Sequence, residues 1–204
     1  MDSVFVEQAT IWDTEYRINR ARIISNKIKA SISISNRDYI IDFGAATGLI
    51  GLNFNEIVNH MTFIERSNEM RKVLDNKIKI LDISKIELFS DLFDTGLVIN
   101  GYDLILSSMV FHHVKDIKGT GERLFELLKP GKKLCIIDLM PDDGSFHETE
   151  KDFAGYNGFD PTWLSEQFKG CGFKYGSHEV VFRDIKNNGN KEYEYSLFML
   201  LMEK

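Results

Sequence analysis

The chain has 204 residues, 43% hydrophobic and 27% charged, a globular balance that excludes general disorder and suits one domain with one core. Lys and Arg total 25 against 31 Asp and Glu, and the net charge of −6 excludes a broad electrostatic footprint for nucleic acid and favours a small-molecule or protein substrate. Cys135 and Cys171 are too few for a disulfide framework and read as reduced thiols of a cytoplasmic protein. The N-terminus carries Asp2 and Glu7 and does not read as a signal peptide, and no run approaches the roughly 18 apolar residues of a membrane span.

In chain order, Ile18, Ala21, Ile24 and Ile28 recur near helical spacing and predict a helix from about Thr14 to Ile32. Tyr39-Ile40-Ile41 reads as a buried parallel strand that runs into Asp42 and a Gly/Ala loop, with a helix expected over Leu49 to Val58. Met61 to Ile64 is a second strand ending at Glu65, and Ser67 is the expected N-cap of the next helix. Ile86 to Phe89 and Tyr102 to Leu106 are the third and fourth strands, ending at Ser90-Asp91 and Ser107-Ser108. A helix over Gly121 to Leu128, a fifth strand over Lys133 to Leu139 and a helix over Thr162 to Phe168 follow. The rest reads as two strands about a turn at Asn187-Asn188-Gly189-Asn190. Strands alternating with helices, then a hairpin, describe an α/β sheet, mostly parallel with an antiparallel addition, whose ligands sit at the carboxyl ends of the strands.

The loop Asp42-Phe43-Gly44-Ala45-Ala46-Thr47-Gly48 stands between a strand and a helix. A dinucleotide fingerprint needs glycine at 44 and 46 and a small residue at 49, and Ala46 and Leu49 break it. The D-x-G-x-G-x-G pattern of adenosylmethionine enzymes fits Asp42, Gly44 and Gly48 and departs only at Ala46; an ordinary strand-to-helix turn is the plain alternative. Glu65, at the end of the next strand, suits the two ribose hydroxyls of an adenosine-containing ligand or simply the surface. Asp91 suits an adenine amino group or a helix cap.

Taken with Tyr102-Asp103-Leu104-Ile105-Leu106-Ser107-Ser108, Phe111-His112-His113-Val114 and Leu127-Leu128-Lys129-Pro130-Gly131-Lys132, the ordered set resembles the class I adenosylmethionine-dependent methyltransferases. The Ser-Ser-x-x-aromatic-His-His run is similar to that of the ubiquinone/menaquinone-type small-molecule enzymes. The resemblance implies a Rossmann-like three-layer sandwich with a seven-stranded sheet over residues 35–204. The N-terminal stretch, 1–34, has no partner strand; its Trp12 and Tyr16 suit a helical lid over the cofactor, with plain packing on the sheet as the alternative. The resemblance also implies S-adenosyl-L-methionine as cofactor and S-adenosyl-L-homocysteine as product. Asp42, Gly44, Ala45, Ala46, Thr47 and Gly48 would pass the methionine part, and Glu65 would hold the ribose, with Arg66 and Met70 in the same set. Asp91 and Leu92 would meet the adenine, and Ser107, Ser108 and Met109 would line the floor beneath the methyl group. An Asn/Asp-Pro-Pro-aromatic motif of nucleic-acid amino methylation is missing after the fourth strand, and arsenite methylation needs more cysteines.

His112 and His113 are the candidate catalytic pair, since an imidazole titrates near neutral pH and can take a proton from a nucleophile; structural packing is the alternative. No spaced third ligand accompanies them, so no metal is expected. Trp12, Tyr16, His147 and Tyr156 are candidate substrate contacts, the first two on the lid and the others on the loop after the fifth strand. The expected partner is a small molecule, with no nucleic acid, and the expected assembly a monomer or homodimer. A catalytically inactive adenosylmethionine-binding module and a nicotinamide-dependent oxidoreductase are the rival readings.

Overall fold

In the computed structural model, which describes residues 8–150, 153–187 and 191–204, seven strands among those residues form one sheet. They are β1 Tyr39–Phe43, β2 His60–Ile64, β3 Ile86–Phe89, β4 Tyr102–Ser108, β5 Leu128–Leu139, β6 Lys174–Asn187 and β7 Glu192–Glu203. The order is β3-β2-β1-β4-β5-β7-β6. β1 to β5 pair in parallel, and β7 runs antiparallel to both β5 and β6. The strand order reverses between β1 and β4, and a sheet of this kind opens its ligand crevice at the carboxyl ends there.

Period-two alternation divides the apolar residues between the two sheet faces. Ile40, Met61, Phe63, Leu104, Leu106, Cys135 and Ile137 join one core with Ile24 and Ile28 of α1 (Glu15–Ser31) and Leu74 of α2 (Asn68–Ile80). Ile41, Ile64, Ile105, Leu134 and Ile136 join the other with Leu124 and Leu127 of α3 (Ile117–Leu127) and Leu164 and Phe168 of α4 (Pro161–Gly170). Helices therefore cover both faces, and the molecule has the three layers of a Rossmann-like sandwich. No helix among the described residues is long and apolar enough to cross a membrane.

Caps set the helix starts. Thr14, Ser67 and Asp116 accept from the backbone N–H groups of Arg17, Met70 and Gly119, and Asp160 accepts from Thr162 and Trp163. Asp116 is why α3 begins at Ile117, earlier than the apolar periodicity alone marks. The helix expected over Leu49 to Val58 is instead a short 3-10 segment, Gly51–Phe54. Its backbone is drawn onto the sheet: the Gly51 N–H donates to the buried Asp42 carboxylate at 2.9 Å, and a Cβ on Gly51 would lie 2.4 Å from the Phe63 ring. That close approach replaces helical pairing after the loop. The fifth strand is counted from Leu128 because Tyr102 pairs with Leu128 before Leu104 pairs with Lys133, so the Lys-Pro-Gly-Lys step bulges between the two registers. The hairpin closes as expected, with Asn187 opposite Glu192; residues 188–190 of its turn lie outside the described residues.

Candidate active site

The loop after β1 turns on three residues in the left-handed region, Gly44 at φ 74°, Ala46 at 47° and Gly48 at 81°. A Cβ on Gly44 would fall 2.2 Å from a methyl of Val110, so the loop can lie against the turn after β4 only because residue 44 is glycine. Ala46 adopts the conformation that the missing glycine would have taken, at the steric cost of its methyl group. Asp42 is fully buried beneath the loop. Burial, with Glu65 nearby, pushes its carboxyl up to about 7, against the pull of the Gly51 N–H bond.

Glu65 sits where β2 ends and turns back to the loop. Its carboxylate accepts from the Ala46 N–H at 2.8 Å and from the Ser67 N–H at 2.7 Å, one bond on each oxygen. Each oxygen keeps lone-pair capacity for a further donor, as a pair of ribose hydroxyls requires. Arg66 is exposed and Met70 is buried behind this corner. Asp91 caps no helix: it is exposed and accepts from the Phe93 N–H in a local turn, beside the buried Leu92. At the end of β4, Ser107 is fully buried with a hydroxyl that has no hydrogen-bond partner among the described residues. Ser108 follows, and Met109 takes φ 60° while its N–H pairs with Ile137.

Beyond Met109 lies a cavity of about 570 Å³. Its walls come from the N-terminal segment (Trp12, Tyr16), from the turns carrying His112, His113 and His147, and from the β6–β7 hairpin (Lys186, Tyr195). His112 Nδ1 meets the Asp138 carboxylate at 2.6 Å, and the second Asp138 oxygen accepts from the His112 backbone N–H at 3.3 Å. Both side chains are buried, which fixes the imidazole in one orientation. His113 and His147 stand beside it, with ring centroids 4.2 and 5.1 Å from that of His112. Phe153 stacks on His147 at 3.6 Å with nearly parallel planes. Burial, the two neighbouring imidazoles and Lys186 hold His147 down to about 3, against the attraction of Asp138, so it is uncharged at neutral pH. The expectation of no metal rests on the want of a third histidine with suitable spacing; the fold brings His147, 34 residues beyond His113, close to the pair. Tyr156 is not part of the cavity lining: it is exposed, and its backbone N–H donates to the His112 carbonyl at 2.7 Å.

The N-terminal segment is strapped onto the loop. Asp13 accepts from the Thr47 hydroxyl at 2.5 Å and pairs with Lys77 of α2, and Lys77 also donates to the Thr47 carbonyl at 2.7 Å. Arg17 lies 3.9 Å over the Trp12 ring and donates to the Trp12 carbonyl at 3.1 Å. Tyr16 bonds both Asp184 and Tyr195 of the hairpin. Trp12 and Tyr16 thus reach the cavity wall while Asp13 between them grips the loop. Sequence reasoning passed over Asp138 and Lys77. Asp138 did carry a signal, a lone acid inside the apolar run Leu134 to Leu139, which needs a buried partner.

The methyltransferase-domain family matches residues 16–178. An uncharacterized methyltransferase of Schizosaccharomyces pombe is 29% identical over 145 residues, covering 64% of this chain and 51% of that one. The lovastatin diketide synthase of Aspergillus terreus is 26% identical over 141 residues, 64% of this chain and 5% of the synthase. The chain thus spans about half the length of the first relative and a small part of the second. Among solved structures, an adenosylmethionine-dependent methyltransferase from Aquifex aeolicus superposes with TM-score 0.72 at 18% identity, covering 97% of this chain and 98% of that one. A chain from the complex of Haloferax volcanii Trm112 methyltransferase activator with a methyltransferase gives 0.79 at 14% identity, covering 98% and 96%. With the β1 loop, the Glu65 corner and the strand order already in place, these likenesses have one meaning: the chain belongs to the methyltransferase-domain family and has the class I adenosylmethionine-dependent fold.

Proposed function

We propose that the chain transfers a methyl group from S-adenosylmethionine to a small-molecule substrate held in the cavity beyond Met109. The observation that carries this reading is the junction at the end of β4: Val110 packs on Gly44 of the loop, and Met109 lines the cavity. A donor on the loop and an acceptor in the cavity would meet there. The residues fit such a donor: Glu65 has free lone pairs on both oxygens, and the loop turns its backbone through left-handed residues at 44, 46 and 48. Adenosylmethionine, when bound, supplies a methyl group already activated on a sulfonium centre. The chain's own work is then positioning, exclusion of water and removal of a proton.

Glu65 accepts from the ribose, and the strap through Asp13 closes the loop against solvent. His112, oriented by Asp138, takes the proton of the substrate nucleophile as its oxygen, nitrogen or sulfur bonds to the methyl carbon and the carbon–sulfur bond breaks. S-adenosylhomocysteine, its sulfur retaining the electron pair of the broken bond, would be the second product. Asp138 stabilises the imidazolium that forms.

An activity screen with labelled adenosylmethionine against a panel of small metabolites tests the reading. Label is expected in a small-molecule product. With that substrate, His112→Ala is expected to lower turnover by about 10²–10⁴-fold, the usual range for a general base, while cofactor affinity stays near that of the parent chain. Label only in macromolecules would refute the substrate class, and full turnover in His112→Ala would refute the base.

A further inference from the structure

We propose that His112, His113 and His147 form a binding site for a divalent transition-metal cation of the zinc class. Each of the three offers a ligand nitrogen, and these atoms all lie within 4.8 Å of one another. Around zinc at about 2.0–2.1 Å, tetrahedral nitrogen ligands stand roughly 3.3 Å apart, so modest side-chain rotations close the set. Ring centroids of 4.2, 5.1 and 5.9 Å already put the three imidazoles around one centre.

Two further observations point to a ligand. His147 is 4% exposed, and its Nδ1 has no hydrogen-bond partner among the described residues. A buried nitrogen left so is costly, and a cation would satisfy it. His112 Nδ1 is bonded to the buried Asp138 carboxylate, which leaves Nε2 for coordination. A carboxylate on the far nitrogen of a ligating histidine fixes its tautomer and raises its basicity. The Phe153 stack holds the His147 ring in place.

The donor set also selects the metal. Three imidazoles, with no carboxylate joining the set among the described residues, suit zinc, cobalt, nickel or copper and not magnesium or calcium, which take oxygen ligands. All three histidines line the cavity, so a fourth position faces the space that the substrate would occupy. Three protein ligands and one open position are the arrangement of a catalytic zinc rather than a structural one. This last point rests on the reading that the cavity takes the substrate: an oxygen, nitrogen or sulfur donor of the substrate would fill the open position. In the metal-free chain His112 is the base; with the cation bound its Nε2 would be a ligand, and the nucleophile would coordinate as its anion with its proton released to water.

The test is a calorimetric titration of tag-free, chelator-treated full-length chain with Zn²⁺ alone. One equivalent per chain is expected, at micromolar affinity or tighter. His147→Gln and His113→Ala, checked for parental thermal stability, are expected to weaken binding at least tenfold, and Asp138→Asn by about 10–100-fold. Co²⁺ in place of zinc is expected to give the visible absorption of a low-symmetry nitrogen site, lost in His147→Gln. Binding weaker than millimolar in the folded parent chain, or stoichiometric binding unchanged in a folded His113→Ala/His147→Gln double variant, would overturn the site. Titrating the same sample with S-adenosylmethionine separates the two claims. Cofactor binding without zinc binding defeats the metal site alone, and zinc binding without cofactor binding defeats the methyl-transfer reading alone.

Discussion

Ala46 stands where the loop pattern calls for glycine, and its φ of 47° shows that the position keeps glycine's conformation without glycine's freedom. Ala46→Gly is therefore expected to raise stability by up to about 1 kcal/mol, the steric cost of a left-handed Cβ less the entropy that glycine loses on folding. Denaturant unfolding checks this, and a clear destabilisation would mean that the Ala46 methyl packs favourably. Glu65→Ala is expected to weaken adenosylmethionine binding by about 1.5–3 kcal/mol, the scale of hydrogen bonds to a charged group. Glu65 also ties the Ala46 and Ser67 amides, so thermal unfolding must accompany the binding assay; unchanged affinity in the folded variant would reduce Glu65 to a brace for the loop. Asp42 makes a prediction in pH. Its folded carboxyl titrates near 7 against an ordinary 3.8, so between those values the folded chain holds a proton that the unfolded chain has released. The Asp42 contribution is present in full below about pH 4 and is lost as pH rises through 7, with a slope of at most about 1.4 kcal/mol per unit. Stability measured from pH 4 to 8 should fall less steeply in Asp42→Asn than in the parent chain; identical slopes would contradict the burial argument.

At the scale of elements, the strands were legible because short apolar runs end at polar residues, and each such run is a strand of the sheet. The segment after the loop was not legible as it stands. Leu49 to Val58 follows the loop where a helix is expected, but the Gly51 bond to Asp42 and the Phe63 contact are tertiary and leave no periodic trace. The imidazole cluster was only two-thirds legible for the same reason: His112 and His113 are adjacent, whereas His147 and Asp138 reach them through the pairing of β4 with β5. The N-terminal strap was read as a lid from its aromatic residues, while its anchor, Asp13 on Thr47 and Lys77, depends on the loop and α2 coming together. Hydrogen exchange tests that anchor. Protection over residues 8–25 is expected to rise when adenosylmethionine is added, and the rise should shrink in Asp13→Ala. Exchange that is the same with and without ligand would make the strap a fixed packing element.

For the whole molecule, the strand order reverses between β1 and β4, and the Glu65 corner lies at the end of β2 while the imidazole-lined cavity lies beyond the end of β4. The family was legible in the ordered motifs, since a loop, an acid at the end of β2 and the turn after β4 follow one another in the order that the resemblance requires. The shape of the cavity was not, because its walls come from four separate parts of the chain. The methyl-transfer reading depends on whether the chain binds adenosylmethionine, and calorimetric titration of the full chain asks that most directly. S-adenosylmethionine and S-adenosylhomocysteine should each bind with one-to-one stoichiometry, and NAD should give no saturable heat. Equal or tighter binding of NAD, or no binding of either sulfur ligand by the folded chain, would contradict the account.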